Sequence, residues 1–244
     1  MTMTMDDNFI DFKCPYCAGT VSFSTDTAGQ IQECPECSET LIVPQASSEF
    51  GQKIPIPITT PRLVLRRLAD SDWKDLLEFT SDDQLFRYSE GSPLDEEQVL
   101  QWLARDKATK LTTPDAAFCL AMQLQAGGKV IGHVSMHFID SLRQQAGFNI
   151  FVNRGFQRQG FGTEAVNALL CFCFEAASLH RVIASFDSRD VSARRMFEKA
   201  GMRHEGQFVK DRFLNGEWVD TVWLAMLSDE YAKSKSSPPR QSPA

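Results

Sequence analysis

The stretch Gln157-Arg158-Gln159-Gly160-Phe161-Gly162-Thr163-Glu164-Ala165 determines how the rest of the chain is interpreted. It follows an apolar run at 148–152 that is typical of a buried strand, and it leads into residues 166–170, which favour a helix. The first turn of a helix has amide N–H groups without internal partners, and the helix dipole is positive there. Gly160 and Gly162 lack a Cβ atom, so a diphosphate can approach the backbone closely. The stretch therefore predicts an anion site made of backbone amides.

Two other classes of glycine loop fit this stretch less well. A dinucleotide-binding loop would have a third glycine where Ala165 stands, and it would lie near the start of its domain. A kinase-type phosphate loop would need Gly-Lys followed by Ser or Thr, and the stretch has no lysine.

Hydrophobic periodicity on both sides of the loop predicts alternating strands and helices. Asp70-Ser71-Asp72 stands where a helix N-cap is expected, Asp95-Glu96-Glu97 places acids in the first turn of a second helix, and Gly201 stands where a helix ends. The resulting order is β-α-α-β-β-β-α-β-α-β-β. The predicted strands cover 62–67, 116–124, 129–138, 146–152, 181–186, 202–209 and 218–227, and the predicted helices begin near Asp70 and Asp95 and cover 162–177 and 190–200.

Motifs around the loop resemble the GNAT acetyltransferases. Gln157-x-x-Gly160-x-Gly162 matches their Q/R-x-x-G-x-G/A motif. Residues 187–202 are similar to their D-x-R-N-x-x-S-x-x-x-x-E-K-x-G-F/M segment, and Gly216-Glu217-Trp218-Val219-Asp220 looks like the G-E-W-x-D turn of their RimJ/RimL branch. Residues 60–66 resemble the opening strand of that branch. The resemblance covers residues 60–231.

The resemblance implies an α+β (mixed α/β) fold, with a mixed β-sheet flanked by helices and splayed after the strand that ends at Val152. Acetyl-CoA would lie in the gap as cosubstrate, and its acetyl group would pass to an amine such as a protein N-terminus. The loop amides would hold the pyrophosphate, and the strand backbone would pair with the pantetheine arm. The cofactor-binding residues implied in this way are Ile150, Phe151, Val152, Gln157, Arg158, Gln159, Gly160, Phe161, Gly162, Thr163, Asp190 and Arg194.

The side chains that would transfer protons depart from the family pattern. Acyl transfer needs a neutral amine, a polarised carbonyl and a proton for the leaving thiolate. Asp190 stands where Asn is usual and Ala193 where Ser is usual, while Ser192 lies one residue earlier, about 100° away around a helix. Ser192 is the candidate catalytic proton donor and Asp190 a candidate contact to the cofactor arm, and a helix N-cap role is the alternative for each. A non-catalytic acetyl-CoA-binding sensor or adaptor therefore stays open beside the N-acetyltransferase hypothesis.

Four of the seven cysteines form the pattern Cys14-x2-Cys17-x16-Cys34-x2-Cys37. Each Cys-Pro-x-Cys turn presents two thiolates to one metal, and the spacing is that of a four-cysteine zinc site. Two disulfides or four free thiols are the alternatives, and neither suits a cytoplasmic protein. Because four thiolates leave no open coordination position, the Zn²⁺ would be structural. The segment resembles a zinc ribbon.

The net charge of −7 is concentrated at the start of the chain. Residues 1–50 hold eight acidic residues and one basic residue, Lys13, whereas the remainder holds 24 of each. Such a segment repels nucleic acid and favours a basic protein as partner. The chain has no apolar run long enough to cross a membrane and no secretory signal, so we expect a cytoplasmic protein.

The sequence divides into four predicted regions: a zinc ribbon at 1–44, a Pro-rich linker at 45–60, a GNAT acetyltransferase domain at 61–231 and a disordered tail at 232–244. Prolines at 55 and 57 favour an extended linker, and the Ser/Pro/Lys-rich tail is typical of disorder. The oligomeric state stays open.

Overall fold

A computed structural model describes residues 8–45, 51–112, 117–139 and 144–236. The strands are, in chain order, β1 Phe9–Lys13, β2 Thr20–Ser24, β3 Ile31–Glu33, β4 Thr40–Ile42, β5 Gln52–Lys53, β6 Ile58–Thr59, β7 Leu63–Arg67, β8 Phe118–Leu124, β9 Val130–Phe138, β10 Gln145–Val152, β11 Arg181–Asp187, β12 Arg203–Leu214 and β13 Glu217–Leu227. The helices are α1 Trp73–Thr80, α2 Glu96–Ala108, α3 Phe161–Cys171, α4 Val191–Lys199 and α5 Ser228–Ser236, and α3 continues as a π-helical turn over Phe172–Ala176.

An eight-stranded mixed sheet in the order β12-β13-β11-β10-β9-β8-β7-β6 forms the centre of the fold. Helices α1 and α2 cover one face, where Leu76, Phe79 and Leu103 pack against β8 and β9. Helices α3 and α4 cover the other face, with Leu169 and Phe197 in the main core. The predicted mixed sheet flanked by helices is confirmed, and the predicted element order is present from β7 to β13.

Strands β10 and β11 pair in parallel over only three residues each, from Gln145↔Arg181 to Gly147↔Ile183. Beyond Gly147, β10 stays paired with β9 as far as Val152, while β11 stays paired with β13. The sheet therefore opens between β10 and β11, after the strand that ends at Val152 as expected, and the two strands part from Phe148 onward. Edge backbone of the second half of β10 faces the opening.

Two predicted regions contain secondary structure that the sequence did not predict. The predicted linker contributes two short strands, because β5 pairs with β4 and β6 pairs with β7. The predicted tail begins too early, because α5 continues through residue 236. Tyr231 anchors that helix by donating a hydrogen bond to Glu175 (2.7 Å) and stacking near Phe174. Residues 46–50 of the linker and 237–244 of the tail lie outside the described residues.

The N-terminal module, residues 8–45, packs against the rest of the fold. Its own core comprises Ile10, Phe12, Val21, Leu41 and Val43, with Cys14 and Cys34. Ile31 and Ile42 instead join the main core and are 1% and 2% exposed. The Thr112 hydroxyl donates to Glu33 (2.5 Å) across the same boundary. Loss of order in the module would therefore expose apolar surface of the main core.

Local signals in the sequence explain the helix ends. The Asp95 carboxylate accepts from the Gln98 amide (2.8 Å), and the Gln98 side chain accepts from the Asp95 amide (2.9 Å), so α2 begins with a capping box.

Across the described ranges, every helix is too short or too polar to cross a bilayer.

Candidate active site

The loop between β10 and α3 gathers free amides at one point. Gly160 has φ +86°, a left-handed conformation that glycine adopts without strain, and α3 starts at the next residue. The first helical hydrogen bond runs from the Glu164 amide to the Gly160 carbonyl (3.0 Å). The amides of Phe161, Gly162 and Thr163 precede that bond, so they are available to an anion at the positive end of the helix.

Arg62, just before β7, and Glu164, in the first turn of α3, support this loop. The Arg62 guanidinium donates to the Gln159 carbonyl (2.9 Å) and to the Glu164 carboxylate (2.6 Å). The Thr60 hydroxyl also donates to Glu164 (2.6 Å). Burial alone would raise the pKa of Glu164, but these donors outweigh it and lower the pKa. Thr60 and Arg62, between β6 and β7, thus support the loop, a role that the sequence pattern did not assign.

Helix α4 approaches the loop closely. A Cβ atom on Gly162 would lie 2.5 Å from the Met196 sulfur, so this glycine allows α3 and α4 to pack together at the mouth of the open sheet. The close packing holds the start of each helix beside the gap between β10 and β11.

A cleft of about 350 Å³ occupies that gap. Its walls are residues 148–152 of β10, Ser185 and Phe186 of β11, and residues 88–91 of the segment between α1 and α2. Of the residues predicted to bind the cofactor, Ile150, Phe151, Val152, Gln157 and Asp190 line the cleft.

The remaining predicted residues lie around the cleft rather than in its wall. Gly160 and Thr163 border a second, apolar groove of about 1070 Å³ between α3 and residues 52–61. Arg194 is half-exposed and pairs with Glu198 (2.8 Å). Ser192 is exposed and does not line the cleft, because a helix turns its side chain away from the side that Ala193 presents. Its role as proton donor stays a prediction.

Two aspartates at the end of β11 have different roles. The Asp190 carboxylate caps α4 by accepting from the Ala193 amide (2.9 Å), and burial raises the pKa of this carboxyl group. Asp187 is fully buried and accepts from Arg189 (2.6 Å), which also pairs with Glu217. Asp187 is therefore structural, whereas Asp190 presents a carboxyl group with a raised pKa to the cleft.

His133 on β9 is part of an aromatic cluster beside the cleft residue Phe151. Its ring lies 4.8 Å from Trp102, 5.1 Å from Phe151 and 6.1 Å from Phe79, measured between centroids. Burial lowers the pKa of His133 to about 4, so the ring is neutral at physiological pH. Its observed role is packing.

The family model described as an acetyltransferase (GNAT) domain matches residues 62–203. The chain belongs to the GNAT acetyltransferases. The GNAT resemblance and the enzyme class predicted from it, an N-acetyltransferase, are thereby confirmed. GNAT enzymes use acetyl-CoA as their acetyl donor, and the acceptor is an amine.

This chain is similar in sequence or structure to several other acetyltransferases. The uncharacterized N-acetyltransferase YnaD of Bacillus subtilis (strain 168) is 30% identical over 175 residues, which are 71% of this chain and 98% of YnaD. A GNAT-family acetyltransferase from Bacillus anthracis superimposes with a TM-score of 0.65 at 26% identity, covering 70% of this chain and 98% of its own. The spermidine N-acetyltransferase of Vibrio cholerae, in complex with CoA and spermine, superimposes with a TM-score of 0.61 at 21% identity. The match covers 71% of this chain and 99% of the Vibrio cholerae chain.

Outside the GNAT match, the four N-terminal cysteines converge. Their sulfur atoms lie within 4.8 Å of one another, with 3.7 Å between Cys14 and Cys37 and 3.9 Å between Cys17 and Cys34. Four thiolates around Zn²⁺ at about 2.3 Å would be separated by about 3.8 Å, the edge of such a tetrahedron. The donor set and the spacing therefore fit a tetrahedral zinc ion.

The two cysteine turns have the same backbone. The Ala18 amide donates to the Cys14 carbonyl (3.0 Å), and the Ser38 amide donates to the Cys34 carbonyl (2.8 Å). Ala18 and Ser38 both have left-handed φ values, 60° and 57°. This repeated turn directs each pair of thiols towards the same point.

Proposed function

We propose that this GNAT enzyme acetylates a primary amine that meets acetyl-CoA in the cleft between β10 and β11. The observation that carries the proposal is the parting of these strands beside the free amides that open α3. The diphosphate would bind the amides of Phe161, Gly162 and Thr163, and the pantetheine arm would pair with the backbone of residues 150–152. Arg194 in α4 is a further phosphate ligand in this proposal, once it is released from Glu198.

The cleft contributes orientation and a proton acceptor. Holding an amine against a thioester accounts for much of the acceleration available to acyl transfer. Glu90 and Asp190 are the carboxylates of the cleft wall. Asp190 has one carboxylate oxygen committed to the α4 cap, so Glu90 is the freer group to accept a proton from the amine, directly or through water.

A protein N-terminus is the acceptor that we propose, following the resemblance to the RimJ/RimL branch. The similarity to the spermidine enzyme supports only a common fold at 21% identity. The supporting observation here is the acidic N-terminal module, which lies on the same chain as the cleft and suits a basic protein.

Release of CoA thiol with a panel of amines tests the proposed activity. We expect turnover with peptide N-termini or small primary amines, no turnover with matched alcohols, and a product acetylated on nitrogen by mass spectrometry. Tight CoA binding without turnover on any amine would contradict the proposal and favour an acetyl-CoA-binding sensor.

We also propose that the four cysteines hold one structural Zn²⁺ and that the protein acts in the cytoplasm. The cluster uses every thiol of the two turns, so the ion would have no position for substrate. Reduced thiols suit a reducing compartment.

Charge on the N-terminal module provides a test of docking. Asp11, Glu36 and Glu39 are exposed, so replacing them together with Asn, Gln and Gln removes charge without opening the core. If the module docks a basic partner, we expect KM for a basic peptide or protein acceptor to rise several-fold at low salt while kcat stays constant.

Matched substitution of three exposed acids on the GNAT domain, Asp229 with Asn and Glu96 and Glu97 with Gln, removes the same charge and serves as the control. An equal rise in KM for both variants, or no rise in either, would contradict docking by the module. Because surface charges are screened by salt, the difference is expected to fade as ionic strength increases.

A further inference from the structure

Unpaired polar atoms surround one end of the cleft. Within the described residues, Nε and Nη2 of Arg212 and Oγ of Ser89 are buried without a hydrogen-bond partner. Arg212 and Ser89 both line the cleft. Burying a polar group without a partner is costly, and the cost is larger for a charged group. This end of the cleft is therefore prepared for a ligand that accepts hydrogen bonds.

The sheet adds further donors on the same face. Arg212 lies opposite Val219 in the β12–β13 ladder, so it shares a face with Thr221 and Trp223. The Thr221 hydroxyl and the Trp223 indole nitrogen are likewise buried without partners inside the described ranges. Ser185, which lies opposite Trp223, belongs to the cleft wall. The unpaired groups are thus continuous with the cleft.

The protein's own carboxylates leave Arg212 incompletely paired. The nearest pairing is with Glu90, whose oxygen lies 3.9 Å from Arg212 Nε, beyond hydrogen-bond distance, and whose side chain is 68% exposed. Asp187 is already bonded to Arg189. Arginine presents parallel N–H donors that match a carboxylate, and an indole N–H can only donate. The group that fits is an anion.

We propose that the acceptor amine carries a carboxylate, which Arg212 binds at this end of the cleft while Glu90 faces the amine. This inference rests on the proposed N-acetyltransferase activity and names its substrate class. An acceptor with opposite charges complements the Arg212–Glu90 pair, whereas a polyamine would place a cation against Arg212. The carboxylate can belong to a free amino acid or to an acidic residue at a peptide N-terminus.

Matched acceptors separate these cases with the intact enzyme. Glycine, β-alanine and γ-aminobutyrate are each compared with the amine that lacks the carboxylate: methylamine, ethylamine and propylamine. Aspartyl-alanine amide is compared with asparaginyl-alanine amide. We expect kcat/KM to be about 10- to 100-fold higher for the carboxylate member of at least one pair, the range expected for hydrogen bonds to a charged group. A preference among the small amines identifies an amino acid, and a preference in the peptide pair identifies an acidic N-terminus.

The preference is the ratio of kcat/KM for the carboxylate acceptor to kcat/KM for its partner without the carboxylate. Arg212→Gln is expected to bring this ratio close to one by raising KM for the carboxylate acceptor. Arg203→Gln is the control, because Arg203 lies on the same strand but pairs outside the cleft with Glu230 (2.5 Å) and Glu205 (2.8 Å). Turnover of every pair without a carboxylate preference, or a ratio unaffected by Arg212→Gln, would overturn the inference and leave the acetyltransferase proposal intact. Absence of turnover with all amines would overturn both.

Discussion

Replacing Cys34 with serine is expected to destabilise the whole folded chain rather than the N-terminal module alone. Cys34 is a buried member of the four-cysteine cluster, and structural zinc supplies much of the folding free energy of so small a module. Ile31 and Ile42 of the module are buried in the main core, and each apolar side chain of this size contributes about 1.5–3 kcal/mol when buried. We expect a loss of more than about 3 kcal/mol in the free energy of unfolding.

Thermal unfolding followed by circular dichroism measures this loss. For a domain of this size, about 3 kcal/mol corresponds to a melting temperature lower by about 6–12 °C. Cys171→Ser is the control, since Cys171 is a half-buried cysteine in α3 outside the cluster. A zinc chelator should lower the melting temperature of the wild-type protein and of Cys171→Ser, but should have little further effect on Cys34→Ser. Equal melting temperatures for the two variants, or metal analysis without zinc, would contradict a structural zinc site.

Local sequence chemistry was sufficient to predict most elements of the catalytic sheet. Several sequence patterns act over only a few residues, so a single sequence is enough to detect them. Examples are the glycine at 160, the acids from Asp95 at the start of α2, and the alternating apolar residues of β8 and β9. The two strands of the predicted linker were missed because two-residue strands carry no periodicity. Helix α5 was missed in part because its anchor, the bond from Tyr231 to Glu175, joins residues distant in sequence.

The residue at which β10 and β11 part could not be predicted for a related reason. Gly147 and Phe148 are adjacent in one strand, yet only the first pairs with β11. That difference depends on which strands β10 and β11 keep as their other neighbours, and hydrophobic patterns do not report it. The family resemblance thus indicated between which strands the sheet opens, while the residue at which it opens emerged from the sheet register.

The end of the cleft that contains Arg212 could not be predicted from the sequence, for a different reason. Arg212 lies in a mainly exposed edge strand, and the register of β12 against β13 shifts between Phe208 and Arg212. An irregularity of this kind changes which side chains share a face, so alternation along β12 does not reveal that Arg212 lies beside Thr221 and Trp223. Ser192 is the opposite case: it lies within a family motif, but its side chain does not line the cleft.

Thr163→Glu is expected to weaken CoA binding by about 30-fold or more while leaving the fold at least as stable. Thr163 lies in the first turn of α3, where a carboxylate interacts favourably with the helix dipole. The same carboxylate would repel a diphosphate bound to the amides of that turn. Two unit charges at about 4 Å cost about 1 kcal/mol in water, so the two charges of a diphosphate give about 2 kcal/mol, or roughly 30-fold.

Thr163→Gln is the matched control, because glutamine has the size and shape of glutamate without its charge. Isothermal titration with CoA is expected to show a large difference in Kd between the two variants, and this difference should shrink as salt screens the charges. Thermal unfolding should give Thr163→Glu a melting temperature equal to or above that of Thr163→Gln. The charge at residue 163 should therefore stabilise the fold but weaken CoA binding. This combination is expected for an anion site at the start of α3 and not for a loop that only supports the sheet. Equal Kd values for the two variants would place the diphosphate elsewhere.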